Sequence, residues 1–163
     1  MATEIERKFL VASDAWRAAA EGPPVAMRQG YLAPGGPGAA TVRIRIAGPR
    51  AMLTVKGPGL LSRLEFEYPV PVEEAKAMFA AGLCAPPLIE KQRSRVPHAG
   101  LVWEVDVFGG HLAGLVLAEV ELDRPDRPLE LPAWVGREVT GDARYQNAAL
   151  ARAPGPPGPL PFG

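Results

Sequence analysis

The chain has 163 residues, with 18 Lys and Arg against 18 Asp and Glu, so its formal net charge is zero; 47% of residues are hydrophobic and 22% charged. The length suits one domain with a single core, and near-average apolar and charged fractions exclude a wholly disordered chain. A zero balance excludes the broad cationic field of a general nucleic-acid binder and provides no polybasic membrane anchor. One cysteine, Cys84, excludes an internal disulfide and a multi-cysteine zinc site. No apolar run approaches the ~18 residues that would cross a bilayer. The opening MATEIERKFLV breaks its apolar residues with charge and lacks a signal-peptide core, so a cytoplasmic location is expected.

The 18 glycines and 19 prolines cut the chain into short pieces. A first strand is expected over 3–11, followed by a short helix over 15–21 with Ser13 or Asp14 as its N-cap. A strand over 24–32 ends at the breaker Pro34-Gly35-Gly36-Pro37-Gly38. Strands over 40–47 and 51–56 flank Gly48-Pro49, and Gly57-Pro58-Gly59 leads into a strand over 62–70. That glycine turn is not a phosphate loop, because no following Lys-Ser or Lys-Thr completes the motif. A helix over 73–81 follows Pro71 and stops at Gly82. Strands over 88–97, 101–108 and 115–122 come next, then a turn from Pro125 to Pro128 and a helix over 143–152. About eight short strands with few helices predict a mainly β (α+β) domain over 1–153, a closed or nearly closed antiparallel barrel with a few flanking helices. The Pro/Gly-rich tail, 154–163, cannot bury a core and is expected to be flexible.

A half-buried strand alternates apolar and polar residues, but here the polar faces are crowded with charge. Glu4, Glu6 and Lys8 share one face, opposite Ile5 and Phe9. Arg43 and Arg45 alternate with Val42, Ile44 and Ile46; Thr54 and Lys56 flank Val55. Arg63, Glu65 and Glu67 share a parity, as do Lys91, Arg93 and Arg95. Glu104 and Asp106, then Glu119 and Glu121, complete the set. A solvated amphipathic face explains any one pair. It does not explain the segregation by sign, since a solubilising face intersperses charges. Like charges on one face repel and call for a compensating partner. Lys and Arg suit phosphate oxygens, whereas clustered carboxylates suit hard divalent cations. Pointed into a barrel, the two sets would form a neutral but strongly polarised, wet lumen, because burying them dry and unpaired would be prohibitive.

These segments resemble a known family in order and parity. Glu4-Ile5-Glu6-Arg7-Lys8 is similar to the N-terminal ExExK signature of the triphosphate tunnel metalloenzymes, the CYTH superfamily. Gln29-Gly30-Tyr31-Leu32, Val42-Arg43-Ile44-Arg45, Leu53-Thr54-Val55-Lys56-Gly57 and Arg63-Leu64-Glu65-Phe66-Glu67-Tyr68 resemble its next strands. Glu90-Lys91-Gln92-Arg93, Trp103-Glu104-Val105-Asp106 and Leu117-Ala118-Glu119-Val120-Glu121-Leu122 resemble its later basic and acidic strands. Glu138 to Asp142 and Arg144 to Asn147 resemble its closing segment. The likeness spans 3–150.

The resemblance implies an eight-stranded antiparallel closed barrel forming a tunnel and a metal-dependent triphosphatase, with inorganic tripolyphosphate as the expected substrate and orthophosphate as the product. It implies phosphate contacts by Lys8, Arg43, Arg45, Lys56, Lys91 and Arg93, with Arg63 as a secondary candidate. Glu4, Glu6, Asp106, Glu119 and Glu121 are expected to hold or orient Mg²⁺ or Mn²⁺. Glu4, Glu6, Lys8, Glu65 and Glu67 form the expected catalytic set, Glu65 and Glu67 through metal or water; Glu104 is secondary and the role of Tyr31 open. The expected partner is a small triphosphate, with no nucleic acid or membrane; a homodimer is compatible with the family. Alternatives are a nucleoside or thiamine triphosphatase, a class IV-type adenylate cyclase, and a non-catalytic polyphosphate- or nucleotide-binding module. A lipocalin-like barrel would need an apolar lining. His98 and His111 are expected in surface turns, Cys84 as a buried small residue, and Trp16, Trp103 and Trp134 in packing roles.

Overall fold

The computed structural model describes residues 3–158. The strands are β1 (Thr3–Val11), β2 (Glu21–Ala33), β3 (Thr41–Ala47), β4 (Arg50–Lys56), β5 (Ser62–Val70), β6 (Ile89–His98), β7 (Leu101–Phe108), β8 (Val116–Glu121) and β9 (Val135–Glu138). The α-helices are α1 (Val72–Ala80) and α2 (Asn147–Arg152), and 3₁₀ turns occupy Asp14–Ala19, Gly110–Leu112 and Ala143–Tyr145. Ser13 caps the first turn, its Oγ accepting from the Ala15 N–H at 3.3 Å.

Neighbouring strands run in the order β5-β4-β3-β2-β6-β7-β8-β1, and β5 pairs back onto β1 through Thr3–Leu64, Glu4–Arg63 and Ile5–Ser62. Every pairing is antiparallel, so the expected eight-stranded barrel is closed. Beyond Ile5 the same edge of β1 takes β9, with Phe9 opposite Glu138 and Val11 opposite Val135. This ninth strand was not among the predicted elements. Tight turns set the registers. In the β6–β7 hairpin, His98 pairs with Leu101 and the two-residue turn puts Ala99 at φ 49° and Gly100 at φ 80°; positive φ at both positions matches the right-handed twist of the flanking strands.

The main apolar core lies outside the barrel. Phe9, Val96, Trp103, Val105 and Val120 point away from the lumen and are covered by Trp16 and Trp134. Ring centroids of Phe9 and Trp103 lie 5.4 Å apart, and those of Trp103 and Trp134 5.7 Å apart in an edge-on arrangement. α1 covers a second patch around Ile44 and Ala51 with Ala75. A third cluster has a different role. Ile89, Phe108 and Leu117 share the parity of the lumen residues and meet Val139, Tyr145 and Leu150. They form an apolar floor, so α2 and the turn before it close one end of the barrel.

The turn around His111 is half-buried rather than at the surface: its Nε2 lies 3.0 Å from the Leu150 carbonyl and ties this turn to α2. Cys84 and the three tryptophans are buried as expected. Of the proposed tail, 154–158 is irregular backbone, and Tyr145 Oη donates to the Pro157 carbonyl at 2.9 Å; 159–163 lie outside the described residues. No helix among the described residues is long and apolar enough to cross a membrane.

Candidate active site

Strand order converts the alternating charges into two arcs. β7, β8, β1 and β5 are contiguous around the barrel and carry the acids; β4, β3, β2 and β6 are contiguous and carry the bases, with neutral Gln29 and Tyr31 on β2. The lumen holds a cavity of about 240 Å³ lined by Glu4, Glu6, Arg43, Arg45, Lys56, Glu65, Glu67, Arg93, Glu104, Glu119, Glu121 and Asn147. No apolar or aromatic side chain is among them. Glu67 and Glu121 are exposed, whereas Lys8, Lys91, Asp106 and Glu119 are buried. The open mouth is therefore acidic, and the deep end lies over the apolar floor.

Ion pairs stitch the two seams between the arcs. At one seam Lys56 Nζ lies 3.1 Å from Glu65 and 2.9 Å from Glu4, and Arg63 reaches Glu4 at 3.6 Å. At the other, Lys91 Nζ donates to Asp106 at 2.6 Å, while Arg93 grips the same carboxylate through Nε at 2.7 Å and Nη2 at 2.8 Å. Arg93 also reaches Glu104 at 3.1 Å. Lys8 donates to the Tyr145 carbonyl at 2.8 Å and lies 3.4 Å from Glu119. On the basic arc Arg45 Nε donates to Gln29 Oε1 at 2.7 Å, and Arg43 Nη2 to Thr54 Oγ1 at 3.3 Å.

Of the predicted site residues, Lys8, Arg63, Lys91 and Asp106 do not line the cavity. Lys8 borders a small adjoining recess with Glu6, Arg63 and Thr140, and Arg63 also borders a second small recess with Tyr31 and the first turn of α2. Lys91 is fully buried, and both Asp106 oxygens are taken by Lys91 and Arg93. Arg95 is exposed. Gln29, Thr54 and Asn147 join the site without having been predicted, because neutral residues add nothing to a charge pattern.

The electrostatics follow from this layout. Burial, then the Glu119 and Glu4 carboxylates, push Glu6 up to about 8 despite Lys8 and Lys56. Burial, together with Glu4, Glu65, Glu104 and Glu67, also raises Glu121. Burial works against the charged forms of Asp106 and Glu119 too, but there the cations win. Arg93 and Lys91 bring Asp106 down to about 2, and Lys8, Arg93 and Lys91 hold Glu119 well below the usual range. On the other arc burial, Arg43 and Arg93 bring Arg45 down to about 10. Acids that retain protons because they are buried and crowded by other acids form a site short of positive charge. Their all-oxygen donors fit a hard divalent cation in charge and type. Among the described residues, however, no three His, Cys, Asp or Glu side chains stand together as a ready-made ligand cage.

A closed antiparallel barrel with an acidic and a basic arc inside it defines a tunnel-type barrel protein with a polarised, wholly polar lumen. The chain belongs to the CYTH family: residues 2–152 match the CYTH domain. It is 44% identical over 155 residues to an inorganic triphosphatase of Acetivibrio thermocellus, covering 94% of this chain and 96% of that one. It is 40% identical over 153 residues to an inorganic triphosphatase of Nitrosomonas europaea, covering 91% and 97%. A crystal structure of an inorganic triphosphatase superposes with a TM-score of 0.65 at 36% identity, covering 94% of this chain and 97% of that chain. The family and fold read from the sequence are borne out, and the expected activity agrees with the names these relatives carry.

Proposed function

We propose that this chain is a divalent-metal-dependent triphosphatase that hydrolyses inorganic tripolyphosphate and releases orthophosphate inside the barrel. The observation that carries the reading is the wholly polar cavity of about 240 Å³ between the two arcs. Its size and cationic wall suit a bare phosphate chain, and its lining contains no apolar or aromatic surface on which a nucleobase or thiazole would rest.

Phosphoryl transfer requires mainly positioning and charge neutralisation. Arg43, Arg45, Lys56 and Arg93 line the cavity and bind phosphate oxygens, and their fixed charge stabilises the charge that develops on the leaving phosphate. Lys91, Lys8 and Arg63 support them from positions beside the cavity. Asp106 positions Lys91 and Arg93, since both its oxygens are occupied. Glu4, Glu6, Glu119 and Glu121 supply the oxygens for Mg²⁺ or Mn²⁺, and Glu65 and Glu67 orient water at the open side. The metal, when bound, neutralises phosphate charge and acidifies water.

The test is orthophosphate release from tripolyphosphate, ATP and thiamine triphosphate, each with Mg²⁺ and Mn²⁺. Metal-dependent release, fastest with tripolyphosphate and absent in Glu6→Gln, is expected. Cyclic AMP and pyrophosphate from ATP would instead identify a cyclase. No turnover with any of the three would leave a binding module.

A further inference from the structure

The cations of the lumen are not equivalent. Lys8, Lys56, Arg63, Lys91 and Arg93 each have a carboxylate oxygen at 2.6–3.6 Å. Among the described residues, Arg43 and Arg45 are the lumen cations without one; they are held by neutral side chains. Strand register explains the tethers: Gln29 on β2 lies directly opposite Arg45, and Thr54 on β4 directly opposite Arg43. Both tethers are completely buried. Only with its oxygen turned to Arg45 does the Gln29 amide set an acceptor against the guanidinium donor. It fixes the Nε edge of Arg45 without cancelling its charge. An arginine already paired with a carboxylate must exchange that partner for phosphate, whereas a neutrally tethered one is oriented in advance and keeps its full attraction for an anion.

We propose that Gln29 and Thr54 are positioning residues whose neutrality keeps the Arg43–Arg45 pair uncompensated, making that pair the docking point of the phosphate chain. The inference rests on the reading of the lumen as a triphosphate site and adds a division of labour within it. Arg43 and Arg45 capture the chain, while the carboxylate-paired cations hold the two arcs together at their seams.

The decisive substitution is Gln29→Glu. It preserves shape and strengthens the hydrogen bond to Arg45, so a purely structural role for Gln29 predicts unchanged or higher stability and unchanged binding. Gln29→Met is the control: it removes the tether but adds no charge. Tripolyphosphate would be titrated calorimetrically into wild type and both variants in EDTA, with thermal unfolding recorded alongside, and KM and kcat measured with Mg²⁺. The expected result for Gln29→Glu is binding weakened at least ten-fold, with KM raised by a similar factor and the unfolding midpoint not lowered. Gln29→Met should weaken binding by less. Should Gln29→Glu fail to fold, Thr54→Asp places the same charge against Arg43 and is read by the same titration. Binding by Gln29→Glu within two-fold of wild type overturns the inference, as does an equal loss in Gln29→Met. Metal-dependent turnover by a wild type that fails to bind in EDTA overturns the docking role and leaves the triphosphatase reading intact. Neither binding nor turnover by the wild type overturns both.

Discussion

Glu6→Gln should make the metal-free protein more stable while abolishing its activity. In the folded chain burial, with Glu119 and Glu4, keeps the Glu6 carboxyl protonated up to about pH 8, against an ordinary value of 4.5. Between those two values the unfolded chain has released this proton and the folded chain still holds it. Stability therefore falls as pH rises through the window, is unaffected by Glu6 below it, and carries the full penalty above it. At pH 7 the penalty amounts to about 3 kcal/mol, from roughly 2.5 pH units above the unfolded value at 1.36 kcal/mol each. A neutral amide of the same shape escapes it and can donate to the neighbouring carboxylates. At about 2–4 °C per kcal/mol for a chain of this length, Glu6→Gln should melt about 6–12 °C above wild type at pH 7 in EDTA. The gap should shrink to about 2 °C at pH 5, where the penalty is below ~1 kcal/mol. Added Mg²⁺ should raise the wild-type midpoint and release protons, with little effect on the variant. Thermal unfolding followed by circular dichroism across pH 5–8.5 is the assay. A variant no more stable than wild type at pH 8, or a gap independent of pH, would refute the electrostatic account of the acidic arc.

Asp106→Asn strands Lys91 and Arg93 without their shared counter-charge and should cost about 3–5 kcal/mol in urea unfolding at pH 7. Because Asp106 is held down at about 2, below its ordinary 3.8, its contribution is present above pH 3.8 and is lost as pH falls through about 2; the variant should converge with wild type there. Gly30→Ala would bring a methyl to 2.7 Å from both Cys84 Cβ and Leu88 Cδ2, and should lower stability by about 1–3 kcal/mol in the same assay. Ala99→Gly relieves a side chain held at φ 49° in the β6–β7 turn and should gain about 1 kcal/mol, read as a higher urea midpoint with unchanged slope.

Most of the barrel was legible because its strands alternate charged and apolar residues through their middles. In the middle of β1, β3, β5, β7 and β8 the lumen-facing positions carry charge and most of their neighbours are apolar, so parity separated most of the lumen from the outer core, while the apolar floor residues Phe108 and Leu117 share the lumen parity. What escaped lacked that period. β9 is Val-Gly-Arg-Glu, four residues with a glycine, and is a strand only because β1 has a spare edge beyond its contact with β5. The start of β2 also differs: Glu21 was expected to end the helix over 15–21 and the strand to begin at 24. Pro23 and Pro24 sit in an irregularity between the Glu21–Arg95 and Val25–Arg93 pairs, where a missing N–H is tolerated. The final helix divided into a 3₁₀ turn and a short α-helix around Gln146, whose side chain reaches out to the Gly59 carbonyl at 2.8 Å. Within the site, the charged residues announced themselves. Thr54 shares a polar face with Lys56 and Gln29 sits in a family-like segment, but neither was assigned a site role, since the proposed importance of both lies in having no charge opposite Arg43 and Arg45.

The two arcs themselves are a property of topology. Along the chain the acidic strands are the first, fifth, seventh and eighth, with basic strands between them. They become neighbours only because β5 pairs back onto β1 and β2 pairs with β6. That closure crowds like charges on each arc, which opposes folding. The opposing cost is met outside the barrel, where Phe9, Trp103 and Trp134 with their aliphatic neighbours bury the outer faces of β7, β8 and β1, the strands that carry most of the lumen acids. An apolar layer that does not touch the site can stabilise it whatever the lumen's ionisation state. The acids are thus free to remain under-compensated until a cation and a phosphate chain arrive, and ligand binding should then stabilise the barrel. Stability held in the outer layer and strain held in the lumen are therefore separable, so a single amide at Glu6 should raise one while removing the activity that depends on the other.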